Sequence, residues 1–223
     1  MEVASAILKD HSGAAIGLFN NMRTPAALIG GSLVPLGILS APTIEKEDSK
    51  RIKLMKKANI VLGVTSLLSE IIAVTYSSIA INKLAEVESP LTKGAAELIA
   101  RNYELAWLGT NIHFLFGLMG FGLIVGSKAF FSNGSALGRA TIGWAVATFL
   151  QALTIVNKGI AMGHGGSSDV PARFASNFFT LIIRYLSLIV KSARGSFFAI
   201  GAIMVGLYAL YETMQVLWNE NKD

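Results

Sequence analysis

Long apolar runs alternate with short charged segments along this chain, and this alternation predicts helices that cross a membrane. Four runs have roughly the twenty residues that a hydrocarbon core of ~30 Å requires. Each is bounded by charged or glycine-rich segments, and each is too long for most strands. These predicted spans occupy 58–82, 104–127, 139–157 and 195–217.

Two further runs are weaker candidates. The run at 24–42 contains three prolines, so Pro35 should kink it, or the segment should be re-entrant. The run at 174–190 carries Arg184 near its middle, and an arginine at that depth is costly. At helical periodicity its polar residues form one narrow stripe, which suits either a span facing other helices or a helix lying flat in the interface. The stripe consists of Ser176, Asn177, Thr180, Arg184, Ser187 and Lys191.

The loops decide between these alternatives. If all six runs span, loops 43–57, 128–138 and 191–194 share one side, which is then more densely basic than the other. The positive-inside rule therefore favours six spans with both termini on the less basic side. Residues 1–23 lack a basic segment followed by an unbroken apolar one, so they predict an interfacial segment and no secretory signal. We expect one all-α domain over 1–223, a transmembrane bundle of about six spans.

Composition agrees with a membrane protein: 52% of residues are hydrophobic and 15% are charged, against about 25% charged in soluble domains. The absence of cysteine excludes disulfides, thiolate metal sites and cysteine nucleophiles. The net charge of +5 could indicate nucleic acid, but much of it lies directly before an apolar run. Such a cluster sets topology or contacts anionic lipid headgroups. Its residues are Lys50, Arg51, Lys53, Lys56 and Lys57.

Small residues recur within the predicted spans at spacings that let helix backbones approach closely. We interpret them as helix-packing positions, the alternative being a groove for a flat cofactor or a lipid tail. They are Gly117, Gly120, Gly122 and Gly126 in one span, the pair Gly143 and Ala147, and the pair Ala202 and Gly206.

Glu70 lies at the centre of its span, on one face with Ser66 and Ser77, and Arg184 lies at a similar depth if 174–190 spans. Each charge alone would cost on the order of 3 kcal/mol at mid-bilayer, which favours an ion pair between Glu70 and Arg184. Two alternatives remain for Glu70. It could bind a proton or cation in a pathway, or it could be a protonated carboxyl hydrogen-bonded to a neighbour.

His113 is the one histidine within a predicted span, so a bis-histidine haem is disfavoured. A single histidine can be the axial ligand of a chlorophyll magnesium, and the alternative is an interhelical hydrogen bond. His164 and Asp169 in the glycine-rich loop are too few for a metal site, so none is expected. No nucleophile elbow, phosphate loop, HExxH or dinucleotide fingerprint is present, and we expect no enzymatic activity.

The stretches GLFNNMRTPAALIGGSLVPLG at 17–37 and YELAWLGTNIHFLFGLMGFGLIVG at 103–126 resemble segments of small polytopic thylakoid proteins of algal plastids. The resemblance covers about a fifth of the chain and includes no diagnostic motif. It implies an accessory subunit of a photosystem or its antenna that binds other subunits and lipids, with chlorophyll and carotenoid as candidate cofactors. The light-harvesting antenna family itself is disfavoured, because Glu104 stands where that family has arginine.

The sequence therefore predicts a non-enzymatic subunit of a large membrane complex, and the resemblance implies the thylakoid as its location. The alternative function is a small transporter or channel with Glu70 in its pathway.

Overall fold

A computed structural model describes residues 8–163, 176–194 and 196–219, and within these ranges the chain is helical without strands. A single isolated antiparallel bridge joins Lys9 to Thr92. Seven α-helices cover most of the described residues: α1 Ser12–Leu33, α2 Lys50–Glu86, α3 Ala95–Asn102, α4 Glu104–Asn133, α5 Ser135–Gly163, α6 Ser176–Ala193 and α7 Phe197–Asn219.

Four helical segments of the described part are long and apolar enough to cross a membrane, which indicates an integral membrane protein. They are Ser12–Leu39, Lys50–Glu86, Glu104–Ser132 and Phe197–Trp218. The predicted count of six spans is not confirmed, because neither α5 nor α6 is among these four segments.

The first span begins well before the predicted residue 24. Residues 12–23, which the sequence placed in a separate interfacial segment, continue directly into the apolar run as α1. Pro25 lies inside α1, and the α-helix changes at Val34 to a π-helical segment, Val34–Leu39, with Pro35 in its first turn. Since proline removes a backbone donor, this change of helix type accommodates Pro35 without ending the helix.

Helices α1 and α2 pack antiparallel through small residues. Gly30 of α1 lies against Glu70 of α2, and Gly37 in the π-helical segment lies against Gly63. A Cβ at Gly63 would be 2.8 Å from the carbonyl oxygen of Gly37, so the two backbones are in direct contact there. Glycine at both positions is what permits this approach.

Helices α2 and α4 are also antiparallel and in contact along much of their length. Asn59 near the start of α2 hydrogen-bonds Ser127 near the end of α4. Further along, the ring of Tyr76 occupies the space beside Gly109, where an added Cβ would be 2.6 Å from the ring. Helix α2 is therefore antiparallel to both α1 and α4, and these three helices form the centre of the bundle.

An apolar cluster fills the end of the bundle where α1 begins and α2 ends. Helix α3 packs across this end, and the edge of the Trp107 ring contacts Phe19 with ring centroids 5.4 Å apart. The cluster therefore closes this end of the bundle with apolar side chains. Its buried members are Ala15, Phe19, Ala80, Leu84, Leu98 and Ile99.

The remaining helices lie outside this centre. Gly134, at φ +90°, separates α4 from α5, and α5 then packs back on α4, with Thr141 Oγ1 donating to the Gly126 carbonyl at 3.3 Å. The apolar side of α6 packs on the first half of α4. Helix α7 is a candidate span without a buried residue.

Candidate functional site

The buried polar site of the bundle is centred on Glu70. Its side chain is 1% exposed and is enclosed by α1 at Gly30 and by α4 at Gly117. A Cβ at Gly117 would be 2.6 Å from Glu70 Cγ and would overlap the carboxyl group. The two glycines therefore create the space that the carboxyl group fills.

The structure contradicts the predicted ion pair between Glu70 and Arg184. Neither carboxyl oxygen of Glu70 has a hydrogen-bond partner among the described residues. Arg184 instead forms a salt bridge with Glu104 at the start of α4. The physical reason is position: Arg184 is 58% exposed on the outward side of α6, far from the enclosed centre.

The whole polar stripe of α6 behaves in this way as far as the structure describes it. Its described members have exposed side chains, of which Arg184 reaches Glu104 at the start of α4, while the opposite apolar side packs on α4. Together with the absence of α6 from the four candidate spans, this favours the second alternative, a helix lying in the membrane interface. The exposed members are Thr180, Arg184, Ser187 and Lys191.

His113 makes an interhelical hydrogen bond. Its Nε2 is 2.9 Å from the Tyr185 hydroxyl of α6, and the two rings meet edge to face with centroids 5.6 Å apart. The other nitrogen, Nδ1, is buried without a hydrogen-bond partner. The geometry therefore favours the hydrogen-bonding role over the predicted role as a chlorophyll ligand, because one nitrogen is used and the other is enclosed.

The glycine-lined side of α4 has no room for a macrocycle. The space at Gly109 is filled by Tyr76, the space at Gly117 by Glu70, and the space at Gly120 by Ser66. This arrangement favours the helix-packing interpretation of the glycines.

Gly122 and Gly126 lie on a different side of α4, towards α5. A Cβ at Gly122 would be 3.3 Å from Ala145, and one at Gly126 would be 2.8 Å from Ile142. The GxxxG pair thus lies at the α4–α5 contact.

The two remaining pairs of small residues face away from the described chain. Gly143 and Ala147 of α5 are exposed, as is Ala202 of α7 with Gly206. Nothing lies within 4 Å of a Cβ added at Gly143 or Gly206. These pairs therefore make no close helix contact within the described part of the chain.

The basic cluster begins α2, where Ser49 caps the helix by accepting a hydrogen bond from the Ile52 amide at 3.4 Å. Lys56 is not a free headgroup ligand: its Nζ lies 2.7 Å from Asp48 Oδ2 and 2.7 Å from the Thr43 carbonyl. The hydrogen bond from Lys56 is the main cause that holds the pKa of Asp48 below its ordinary 3.8.

The other members of the cluster extend around this helix start. Lys50 and Arg51 are exposed, and Lys53 and Lys57 are partly exposed. Positive charge in a first helical turn opposes the helix dipole, so anionic headgroups would stabilise it.

A cavity of about 120 Å³ opens at the same end of the bundle, between the π-helical segment, the start of α2 and the end of α4. Its lining residues include Leu36, Ser40, Asn59 and Lys128.

No group of three or more histidine, cysteine, aspartate or glutamate side chains in the described ranges is placed to hold a metal ion. His164 and Asp169 lie outside the described residues.

Sequence reasoning missed three polar contacts: the salt bridge of Arg184 with Glu104, the hydrogen bond of His113 with Tyr185, and the hydrogen bond of Asn59 with Ser127. Of these residues, only Asn59 could have been found from the spacing of polar residues in the sequence. It precedes Ser66 by seven residues, which places it on the helix face already assigned to Ser66 and Glu70.

The chain matches no family model, no curated protein and no solved structure. Its function is therefore inferred from its own geometry.

Proposed function

We propose that this chain is a non-enzymatic integral subunit of a larger membrane assembly, and that α5 and α7 form its contact with helices of another subunit. The observation that carries the proposal is the exposure of α7. This apolar helix is long enough to span the membrane, yet no residue of its apolar stretch is buried within the described chain. Lipid gives helices no hydrophobic reason to associate, so a span is held in place by close packing. The packing partners of α7 would therefore belong to another subunit.

The outward small-residue pairs support the same surface. Ala202 with Gly206, and Gly143 with Ala147, have the spacing of close helix contacts but meet nothing in the described chain. Around them α7 exposes large side chains that pack well in a helix interface. These are Phe197, Phe198, Met204, Tyr208, Tyr211, Met214 and Trp218.

The resemblance of 17–37 and 103–126 to small plastid proteins supports a thylakoid assembly, a photosystem or its antenna, as the setting. Lys50 and Arg51 at the exposed start of α2 support contact with anionic lipid headgroups on one side. The proposal includes no pigment held by His113, because that ring is hydrogen-bonded to the Tyr185 hydroxyl.

The test is native gel electrophoresis of membranes solubilised in mild detergent, comparing the wild type with two variants of α7. The wild-type chain should migrate within a large complex at a fixed ratio to its other subunits. Gly206→Leu should release it, because the added side chain prevents close helix approach. Val205→Leu, at an exposed neighbouring position, is the matched control and should leave the complex intact.

Migration of the wild type as a monomer, under conditions that preserve other membrane complexes, would contradict the proposal. Migration as an oligomer of this chain alone would show that the partner at α7 is a second copy of the chain and not a different subunit. Equal release by both variants would show that α7 makes no specific contact at Gly206.

A further inference from the structure

A row of buried polar side chains follows one face of α2 through the bundle. The row contains Asn59, Ser66, Glu70 and Ser77, which are 6%, 3%, 1% and 0% exposed. At 1.5 Å per residue it extends roughly 27 Å along the helix, close to the ~30 Å of a hydrocarbon core. Polar groups are expensive at this depth, and those inside membrane proteins commonly mark a pathway for an ion or a proton.

Nothing in the surroundings of Glu70 neutralises a negative charge. Helix α1 presents Gly30 to it and α4 presents Gly117. Residues 24–42, 58–82 and 105–127 contain no aspartate, lysine or arginine. The other titratable side chains in these ranges are His113, one turn from Gly117 and hydrogen-bonded to Tyr185, and Tyr76, which lies against Gly109. The neutral acid is therefore the form of Glu70 that this site tolerates at least cost.

One end of the polar row reaches a cavity. The cavity at the start of α2 is lined by Asn59, whose side-chain amide donates a hydrogen bond to the Ser127 hydroxyl of α4. The next polar side chain inward is Ser66, followed by Glu70. The axial steps are roughly 10 Å from Asn59 to Ser66 and 6 Å from Ser66 to Glu70. Between Asn59 and Ser66 the backbones of Gly37 and Gly63 are in contact and Ile124 beside them is 1% exposed, so water can bridge this step only when the π-helical segment moves away from α2.

The opposite end is closed. The Ser77 hydroxyl donates to the Ala73 carbonyl of its own helix at 2.8 Å and offers no proton to a relay. Beyond it, the cluster that contains Phe19, Leu84 and Leu98 fills the bundle with apolar side chains. The buried polar atoms between Glu70 and this cluster, Thr110 Oγ1 and His113 Nδ1, are therefore separated from that surface by apolar side chains.

We propose that Glu70 is a proton-binding site that exchanges its proton with one membrane surface only, through Ser66, Asn59 and the cavity beside Lys128. The ligand is the proton, and the site is half of a proton pathway whose other half is sealed by the apolar cluster. This inference is independent of the assembly proposed above, because it concerns the interior of α1, α2 and α4.

Infrared difference spectroscopy tests it on the full chain, purified in whatever assembly it forms and transferred to lipid nanodiscs. The wild type minus Glu70→Gln should show the carbonyl band of a neutral carboxylic acid. In D₂O that band should shift as the proton exchanges. Ser66→Ala should slow the shift by about tenfold, the effect of one lost hydrogen-bonding step. Ser77→Ala, a buried serine on the same face beyond Glu70, is the matched control and should leave the rate unchanged.

If the wild type differs from Glu70→Gln by carboxylate bands and not by a neutral-acid band, Glu70 is ionised and the proposal is overturned. A neutral-acid band that never shifts in D₂O would remove the access route. Equal slowing by Ser66→Ala and Ser77→Ala would contradict one-sided access.

A second measurement needs no variant and covers the case in which Glu70→Gln fails to fold. A lipid-soluble carbodiimide adds the O–H of a neutral carboxylic acid across one C=N bond, and the acylisourea rearranges to a stable N-acylurea without another reagent. Peptide mass spectrometry should find this adduct on Glu70 and not on Glu104, which is paired with Arg184. An adduct on Glu104 with Glu70 unmodified would contradict the proposal. Neither measurement depends on the migration of the complex, so the two proposals can fail separately.

Discussion

Replacement of Gly63 by alanine tests how closely α1 and α2 approach each other. A methyl group at Gly63 would lie 2.8 Å from the carbonyl oxygen and 3.2 Å from the carbonyl carbon of Gly37. Both are backbone atoms of the π-helical segment, so no side chain can rotate away to relieve the contact. The two helices must separate, or the π-helical segment must shift.

The size of the effect follows from two opposing contributions. Overpacking of this kind costs typically about 1 to 3 kcal/mol. Replacing a glycine within a helix by alanine stabilises it by about 0.5 to 1 kcal/mol, because alanine has less conformational freedom to lose on folding than glycine. We expect a net loss of about 0.5 to 2 kcal/mol in the free energy of unfolding, a roughly 2- to 30-fold drop in the ratio of folded to unfolded protein.

Reversible unfolding in mixed micelles, followed by circular dichroism as the denaturing detergent is increased, measures this difference. Gly31→Ala is the matched control, because Gly31 lies in α1 with nothing within 4 Å of an added Cβ. It should be neutral or slightly stabilising. If Gly63→Ala proves as stable as Gly31→Ala, the helices are not in backbone contact and the packing described here is wrong.

Three further predictions concern the polar contacts. Tyr185→Phe should lower the free energy of unfolding by about 1 kcal/mol, and a double-mutant cycle with His113→Phe should give a coupling of similar size, whereas zero coupling would exclude their hydrogen bond. Arg184→Ala should cost less than about 1 kcal/mol in the same assay, since the arginine side chain is 58% exposed and its glutamate partner keeps contact with solvent, and a loss of several kcal/mol would mean a stranded buried charge. By NMR titration Asp48 should have a pKa below 3.8 that rises in Lys56→Met. Because the folded-state pKa is lowered, the contribution of Asp48 to stability is present at neutral pH and is lost as pH falls through that lowered pKa. An Asp48 pKa unchanged by Lys56→Met would contradict the pairing.

The central spans were predictable because long apolar runs have few alternatives. The runs at 58–82 and 104–127 lie within α2 and α4, and the run at 195–217 overlaps α7. The start of the first span was not predictable in the same way. Polar residues near Ser12 interrupt the apolar pattern, but they mark the beginning of α1 and not a break between two segments.

Residue pairing was less accessible to sequence reasoning than helix position. The expected ion pair assumed that Arg184 lies at the depth of Glu70, and that depth came only from the assumption that 174–190 spans. The structure places Arg184 on the exposed side of α6, where its partner is Glu104 and not Glu70.

The contact between His113 and Tyr185 shows the same limit. Periodicity gives the face on which each residue lies, but it does not say that α4 and α6 are neighbours. The polar row of α2, by contrast, was visible in the sequence, since Ser66, Glu70 and Ser77 share one helical face.

Extraction of native membranes with alkaline carbonate tests most directly the claim on which the whole account depends, that this chain is embedded in the bilayer by several apolar helices. Carbonate removes proteins held by charge or by an interfacial helix and leaves those whose spans bury large apolar surfaces. With four candidate spans, the chain should remain entirely in the membrane pellet. Its release into the supernatant would contradict the membrane-spanning bundle, and with it the buried site at Glu70.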